Sequence, residues 1–245
     1  MDRNSIIVVT GSNRGIGASI VVALARSGFR VGCLSRKGLP TDGLSTADAA
    51  RCINVACDVT SRDSVRGAFA KVAESGPIGG LVNNAGIHIY GPSASFAAED
   101  YAAVMETNAT SVFTACQEVY PYLKKSPSTL IVNIGSFFDK LGVKQNLAYC
   151  ASKAVVGAIT RCLAVEWAAA GVRVVDVAPG YIVTDFNREE IASGPLREFI
   201  SRRIPGGEPG TTDDVAKLVG ALYAQDIPFL SGETIYIDGA QGIAH

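Results

Sequence analysis

Short runs rich in Val and Ile alternate along this chain with longer segments of helical period, and that alternation constrains the fold more than any other feature. Residues 5–10 read as a strand, 16–27 as a helix and 29–34 as a second strand. Further strand-like runs stand at 52–57, 80–83, 130–134, 172–178 and 234–237, with helical segments near 61–75, 98–125, 147–170 and 211–224. The runs are nearly continuous in apolar residues rather than alternating with polar ones, as expected of strands covered on both faces. Strand, crossover helix and parallel strand close with a right hand, so the pattern predicts an α/β fold: a doubly wound parallel sheet of about seven strands. No repeat or linker interrupts the 245 residues, and 1–245 is expected to be a single domain. Thr211 and Ser61 stand where helix caps are needed, and Gly171 can close the long helix before it in a left-handed turn. Two segments, 37–50 and 184–210, carry no clear period and read as mobile loops at the ligand edge of the sheet.

Composition removes several classes of function. A formal net charge of -1 supplies no basic field for nucleic acid or an anionic membrane, and no run of 18 uncharged apolar residues appears. The first residues lead straight into a strand without a signal-like segment, so a cytoplasmic location is expected. The six cysteines form no CxxC pair and read as reduced thiols. With only His88 and His245, a histidine zinc site or a Ser-His-Asp hydrolase has little to build with, and no metal is expected.

Gly11, Gly15 and Gly17 fall between the first strand and the first helix, in the stretch Thr10-Gly-Ser-Asn-Arg-Gly-Ile-Gly17. Glycines there allow a tight turn and let backbone amides approach a pyrophosphate at the positive end of the helix, a Rossmann-type arrangement. The second strand ends in Ser35-Arg36-Lys37, where an NAD site places an acid against the ribose 2′-hydroxyl. Arg36, with Arg14, Lys37 and the Ser35 hydroxyl, suits a 2′-phosphate instead, so NADP is expected over NAD.

Tyr149 and Lys153 are four residues apart on one helical face, and Ser136 ends the apolar run before them. A cation beside a phenol favours the phenolate, so this Tyr is expected to exchange protons nearer neutral pH. The helix that carries the pair is apolar nearly all round, which predicts a second copy of the chain against its outer face, as a dimer or homotetramer.

In order along the chain, these residues resemble the short-chain dehydrogenase/reductase family over essentially the full length. The stretch 10–17, with Ser12, Asn13 and Ile16, looks like the family's cofactor motif. Cys57-Asp58-Val59 looks like its adenine-contacting Asp and neighbour, and Asn83-Asn84-Ala85-Gly86 like its fourth-strand signature. Asn108, Ser136, Tyr149 and Lys153 match its catalytic set, and Pro179, Gly180, Ile182 and Thr184 match the segment over the nicotinamide. The resemblance implies a carbonyl reductase using NADP(H): Ser136 polarises the carbonyl, Tyr149 supplies the proton, Lys153 holds the ribose and lowers the Tyr149 pKa, and Asn108 positions a water. The alternatives with the same residues are an oxidative secondary-alcohol dehydrogenase and a non-catalytic cofactor-binding regulator. The branch it looks most like is 3-oxoacyl-carrier-protein reductase, but Ala170 and Ser126-Pro127 stand where that branch has basic residues, so a carrier-protein partner is not expected. Positions His88, Tyr90, Phe137, Phe138, Leu147 and Tyr181 predict an aromatic, mainly apolar pocket for a neutral ketone, a cyclic carbonyl or a 3-oxoacyl chain.

Overall fold

The computed structural model describes residues 2–38, 43–126, 128–185 and 187–244. Pro127, His245 and parts of both expected loops lie outside the described residues. Strands β1 (Ile6–Thr10), β2 (Arg30–Ser35), β3 (Cys52–Ala56), β4 (Ile78–Asn83), β5 (Thr129–Ile134), β6 (Val172–Pro179) and β9 (Thr234–Ile237) form a parallel sheet in the order β3-β2-β1-β4-β5-β6-β9. Two short strands, β7 (Ile182–Val183) and β8 (Gly210–Thr211), pair separately. Chain order reverses at β1, which has β2 on one side and β4 on the other, so a crevice opens beyond their carboxyl ends.

The near-continuous apolar strands serve two cores at once. Ile6, Val8, Leu81, Ile131 and Val174 face one way, against α3 (Arg62–Ala73), α5 (Ser111–Leu123) and α6 (Leu147–Glu166). Their neighbours Ile7, Val9, Val82, Val132 and Val175 face the other, against α1 (Gly15–Arg26) and α9 (Thr212–Gln225). Each such buried side chain contributes roughly 1.5–3 kcal/mol from burial. Polar ties fix the register of these layers. Asn83 Nδ2 donates to Asn133 Oδ1 (2.9 Å), whose Nδ2 donates to Thr160 Oγ1 on α6 (2.8 Å). From the other face, Tyr223 on α9 donates to the carbonyls of Leu81 and Leu130, in space that Gly80 leaves open: a Cβ there would meet the Tyr223 ring at 2.6 Å.

The helix caps form as expected: Thr211 makes a capping box with Asp214, Ser61 accepts from the Ser64 amide, and Gly171 adopts φ +73°. Several boundaries differ. The helix expected over 98–125 is α4 (Ala98–Met105) and α5 joined by a π-helical turn at Glu106–Thr110, which bulges Asn108 toward the site. The loops at 37–50 and 184–210 contain α2 (Thr46–Ala49), α7 (Arg188–Ala192) and α8 (Pro195–Arg203). Signals for α8 are present locally: Pro195 in its first turn, and Glu198 early with Arg202 and Arg203 late, matching the helix dipole. By length and composition alone α6 could cross a membrane, a test that the buried core helix of a globular domain also passes. Here Val156, Gly157, Thr160 and Leu163 bury one of its faces against the sheet.

Candidate active site

The turn from β1 to α1 is held by what its glycines lack. Gly11 and Gly15 take left-handed φ values of +63° and +55°, and a Cβ on Gly17 would fall 2.3 Å from the Gly11 carbonyl oxygen. Thr10 Oγ1 accepts from the amides of Asn84 and Ala85, and Asn84 Nδ2 donates to the carbonyls of Thr10 and Gly11. Asn84 therefore ties β4 to the turn, and Gly86 packs close to Asn108. The start of α1 has no side-chain cap and no acid in its first turn, which leaves its positive end open to an anion. Ser12 is fully buried, and its Oγ has no partner among the described residues. Beside the turn, Asn13, Arg14, Arg36 and Lys37 line a cleft of about 340 Å³. A turn shaped by glycines, an orphaned hydroxyl and a basic cleft together fit a dinucleotide whose adenosine end carries an extra phosphate.

Other expected cofactor residues are distributed unevenly. Asp58 is exposed, and the Thr60 hydroxyl and amide hold its carboxyl below the usual carboxylate range, while Val59 packs against the core. Ser35 is corrected: its Oγ donates to the Gly38 carbonyl at 2.8 Å and accepts the Gly38 amide, so the hydroxyl closes its own turn rather than facing the cleft. Ile182 is buried in the α1/α9 core. Pro179 ends β6, and Gly180 lets the chain pass Asp238, whose Cα a Cβ would approach to 2.7 Å. Both the amide and the hydroxyl of Thr184 donate to Asn187 Oδ1, a residue the motif reading missed.

Ser136, Tyr149 and Lys153 come together where β5 ends and α6 begins. Ser136 caps a 3-10 turn over Phe137–Lys140, and its hydroxyl accepts from the Phe138 amide. Burial pushes the Tyr149 phenol up to about 12, with the Ser136 hydroxyl pulling against it. This overturns the expectation that Lys153 brings the phenol toward neutrality. Lys153 Nζ instead donates to the Ile134 carbonyl at 2.8 Å and stands 5.6 Å from the centre of the Tyr149 ring. Burial lowers Lys153 to about 8, and Asp176 opposes that fall. Asn108 brackets the Ile87 peptide, accepting from its amide and donating to its carbonyl, and also donates to Ser152 Oγ. It anchors the loop after β4 to α6, an arrangement the π-helical turn makes possible.

The expected pocket residues gather around Tyr149, with differences in depth. The His88 ring lies 4.6 Å from that of Tyr149 and bonds through Nε2 to Asn146 Oδ1, and Phe138 meets Tyr149 edge-on at 5.9 Å. Phe137 and Phe138 are buried, so they form the back wall, whereas Tyr90 and Leu147 stand exposed at the rim. Tyr181 joins both Phe rings and meets Phe199 of α8 at 6.3 Å. Phe199 was not legible as a site residue because its segment lacked an apparent period. Among the described residues no three His, Cys, Asp or Glu side chains gather as a metal site.

Residues 5–193 match the family profile described as short chain dehydrogenase. The 3-oxoacyl-[acyl-carrier-protein] reductase MabA of Mycobacterium tuberculosis is 34% identical over 243 residues, covering 98% of this chain and 93% of that protein. A gluconate 5-dehydrogenase from Burkholderia cenocepacia, solved with NADP and tartrate, superposes with a TM-score of 0.89 at 28% identity, covering 100% of this chain and 97% of that one. An actinorhodin polyketide ketoreductase variant solved with NADPH gives 0.87 at 30% identity, covering 98% of each chain.

Proposed function

The chain belongs to the short-chain dehydrogenase family, and from that premise we propose that it is an NADPH-dependent ketone reductase acting on a mainly apolar substrate. The observation that carries this reading is Ser136, Tyr149 and Lys153 gathered at the carboxyl end of β5, two strands from a glycine turn flanked by a basic cleft. Gly11, Gly15, Gly17 and Ser12 would hold the pyrophosphate, Arg14, Arg36 and Lys37 the 2′-phosphate, and Lys153 the nicotinamide ribose. The cofactor, when bound, supplies hydride from C4 of its nicotinamide to the substrate carbonyl carbon. Ser136 donates a hydrogen bond to the carbonyl oxygen, where negative charge grows. Tyr149 delivers its proton to that same oxygen. In its protonated form Tyr149 is the acid for reduction, and as phenolate the same residue would take the proton in alcohol oxidation. Asn108 holds the loop that carries His88, and the rings of His88 and Phe138 pack on Tyr149, with Tyr181 against Phe138, so the reacting atoms meet an aromatic lining.

An aromatic wall suits a neutral ketone with an apolar or ring-bearing body, including a 3-oxoacyl chain. The relatives act on dissimilar substrates, a 3-oxoacyl carrier protein in MabA and gluconate in the Burkholderia enzyme by name, so the carbonyl is chosen by the wall and α8 rather than by the catalytic set. The whole of 1–245 acts as one unit, since β1 and β9 from opposite ends of the chain share one sheet. A homo-oligomer is also proposed, supported by Tyr101, Phe113 and Val155 exposed on α4, α5 and α6. Light scattering after size exclusion would return a monomer if that is wrong. A ketone and alcohol panel, read by nicotinamide absorbance with both cofactors, tests the main reading. Turnover of ketones with NADPH is expected; activity only on alcohols with NAD would overturn it.

A further inference from the structure

Asp176, in the middle of β6, has no part in the reaction described above, yet its setting is costly for a carboxyl group. It is fully buried; Oδ2 accepts from Thr234 Oγ1 at 3.2 Å, and Oδ1 has no full hydrogen bond among the described residues, the Gly135 amide that donates to the Val177 carbonyl giving the carboxyl only secondary support. A buried carboxylate with an unused oxygen is costly, and a cation nearby lowers that cost. Glycine makes the room for it: a Cβ on Gly135 would sit 2.5 Å and 2.6 Å from the two carboxyl oxygens. Lys153 Nζ donates to the carbonyl of Ile134, the peptide that runs into Gly135. The ammonium and the carboxyl thus flank the same short stretch of β5.

The other charged and titratable groups around Asp176 come from three elements. Asp139 approaches from the 3-10 turn and accepts from the Tyr236 hydroxyl of β9 at 2.9 Å. Lys140 lies over the Tyr236 ring, and Arg161 of α6 stands beyond Gly157. Asp139 opposes ionisation of Asp176, Lys153 favours it, and Lys140 and Arg161 stay with the Tyr236 side of the cluster.

We propose that Asp176 is a positioning residue for Lys153: its carboxylate, lodged behind β5 in the space Gly135 leaves, keeps the buried Lys153 ammonium charged. The effect on turnover rests on the proposed ketone reduction; the effect on the Lys153 charge does not. Burial raises Asp176 to about 6 despite Lys153, and burial lowers Lys153 to about 8 despite Asp176. Burial thus works against the charge on each group, and each group supports the charge on the other. Removing the carboxylate leaves Lys153 with the cost of burial alone, and its pKa falls further.

The test follows the Lys153 ε-carbon by NMR in cofactor-free protein with labelled lysine, the signal being assigned by its loss in Lys153→Arg. In Asp176→Asn the Lys153 midpoint is expected to fall by about one pH unit or more. Asp176→Val, equally uncharged and β-branched for a strand, serves if the Asn variant does not fold. With saturating NADPH, the alkaline limb of the kcat profile should move to lower pH by the same amount, so the loss is greater at alkaline than at mildly acidic pH. An unmoved Lys153 midpoint, or a kcat reduced by one factor at every pH, would overturn the proposal and leave Asp176 a packing residue. If the unmodified enzyme reduces no ketone, the functional reading fails, while the NMR titration still judges Asp176.

Discussion

The turn between β1 and α1 and the floor formed by β5, α6 and β6 serve one crevice but are made of opposite materials. In the turn, missing side chains shape the site: Gly17 admits the Gly11 carbonyl, and Thr10 and Asn84 lock backbone to backbone. In the floor, buried ionisable groups do so, with Tyr149 raised to about 12, Lys153 lowered to about 8 and Asp176 raised to about 6. A shape is insensitive to pH and is lost when an atom is added. A set of charge states keeps its shape and is lost when one proton or one partner is removed.

Substitutions can break or sharpen that division. The largest expected effect is in the floor: Tyr149→Phe should lower kcat for ketone reduction by about a hundredfold or more, with NADPH affinity, read by fluorescence titration, nearly intact. Substantial remaining turnover would remove Tyr149 as the acid. In the turn, Gly17→Ala should weaken NADPH binding by about tenfold or more and lower Tm, because the added Cβ forces the Gly11 carbonyl away. Were kcat to fall while affinity and Tm held, the separation of shape from charge would collapse. At the rim, Arg36→Ser should cost about ten- to a hundredfold in kcat/KM with NADPH and little with NADH. Equal losses with both cofactors would take Arg36 away from the 2′-phosphate. Tyr223→Phe, on the opposite face of the sheet, should cost about 1 kcal/mol by denaturant titration and leave both kcat and cofactor affinity alone. Any change in activity there would mean that the sheet transmits strain to the crevice.

Much of the architecture was legible because its signals are local. Nearly continuous apolar runs at 5–10, 130–134 and 172–178 specify strands buried on both faces, and glycines at 11, 15 and 17 specify a turn with left-handed φ at 11 and 15 and no room for a Cβ at 17. The i,i+4 placement of Tyr149 and Lys153 likewise holds on any helix. What misled was reading contact from spacing. Proximity on one face suggested that Lys153 acidifies Tyr149, whereas the ammonium turns to the Ile134 carbonyl and burial dominates the phenol. Ser35 stood at the right place for a phosphate but closes a turn with Gly38. The loop at 184–210 hid α8, and with it Phe199, because a short helix with two late arginines has too few turns to show its period.

By itself, then, the order of residues determined the strands and the glycine turn, which depend on neighbours within a turn or a strand, and its resemblance to a family picked out the residues proposed for catalysis. Only the tertiary structure decided how those groups are charged and how the wall is lined. Asp176 and Gly135 are 41 positions apart and Phe199 is 18 from Tyr181, and the forces between them depend on desolvation and distance through space, which no spacing along the chain records.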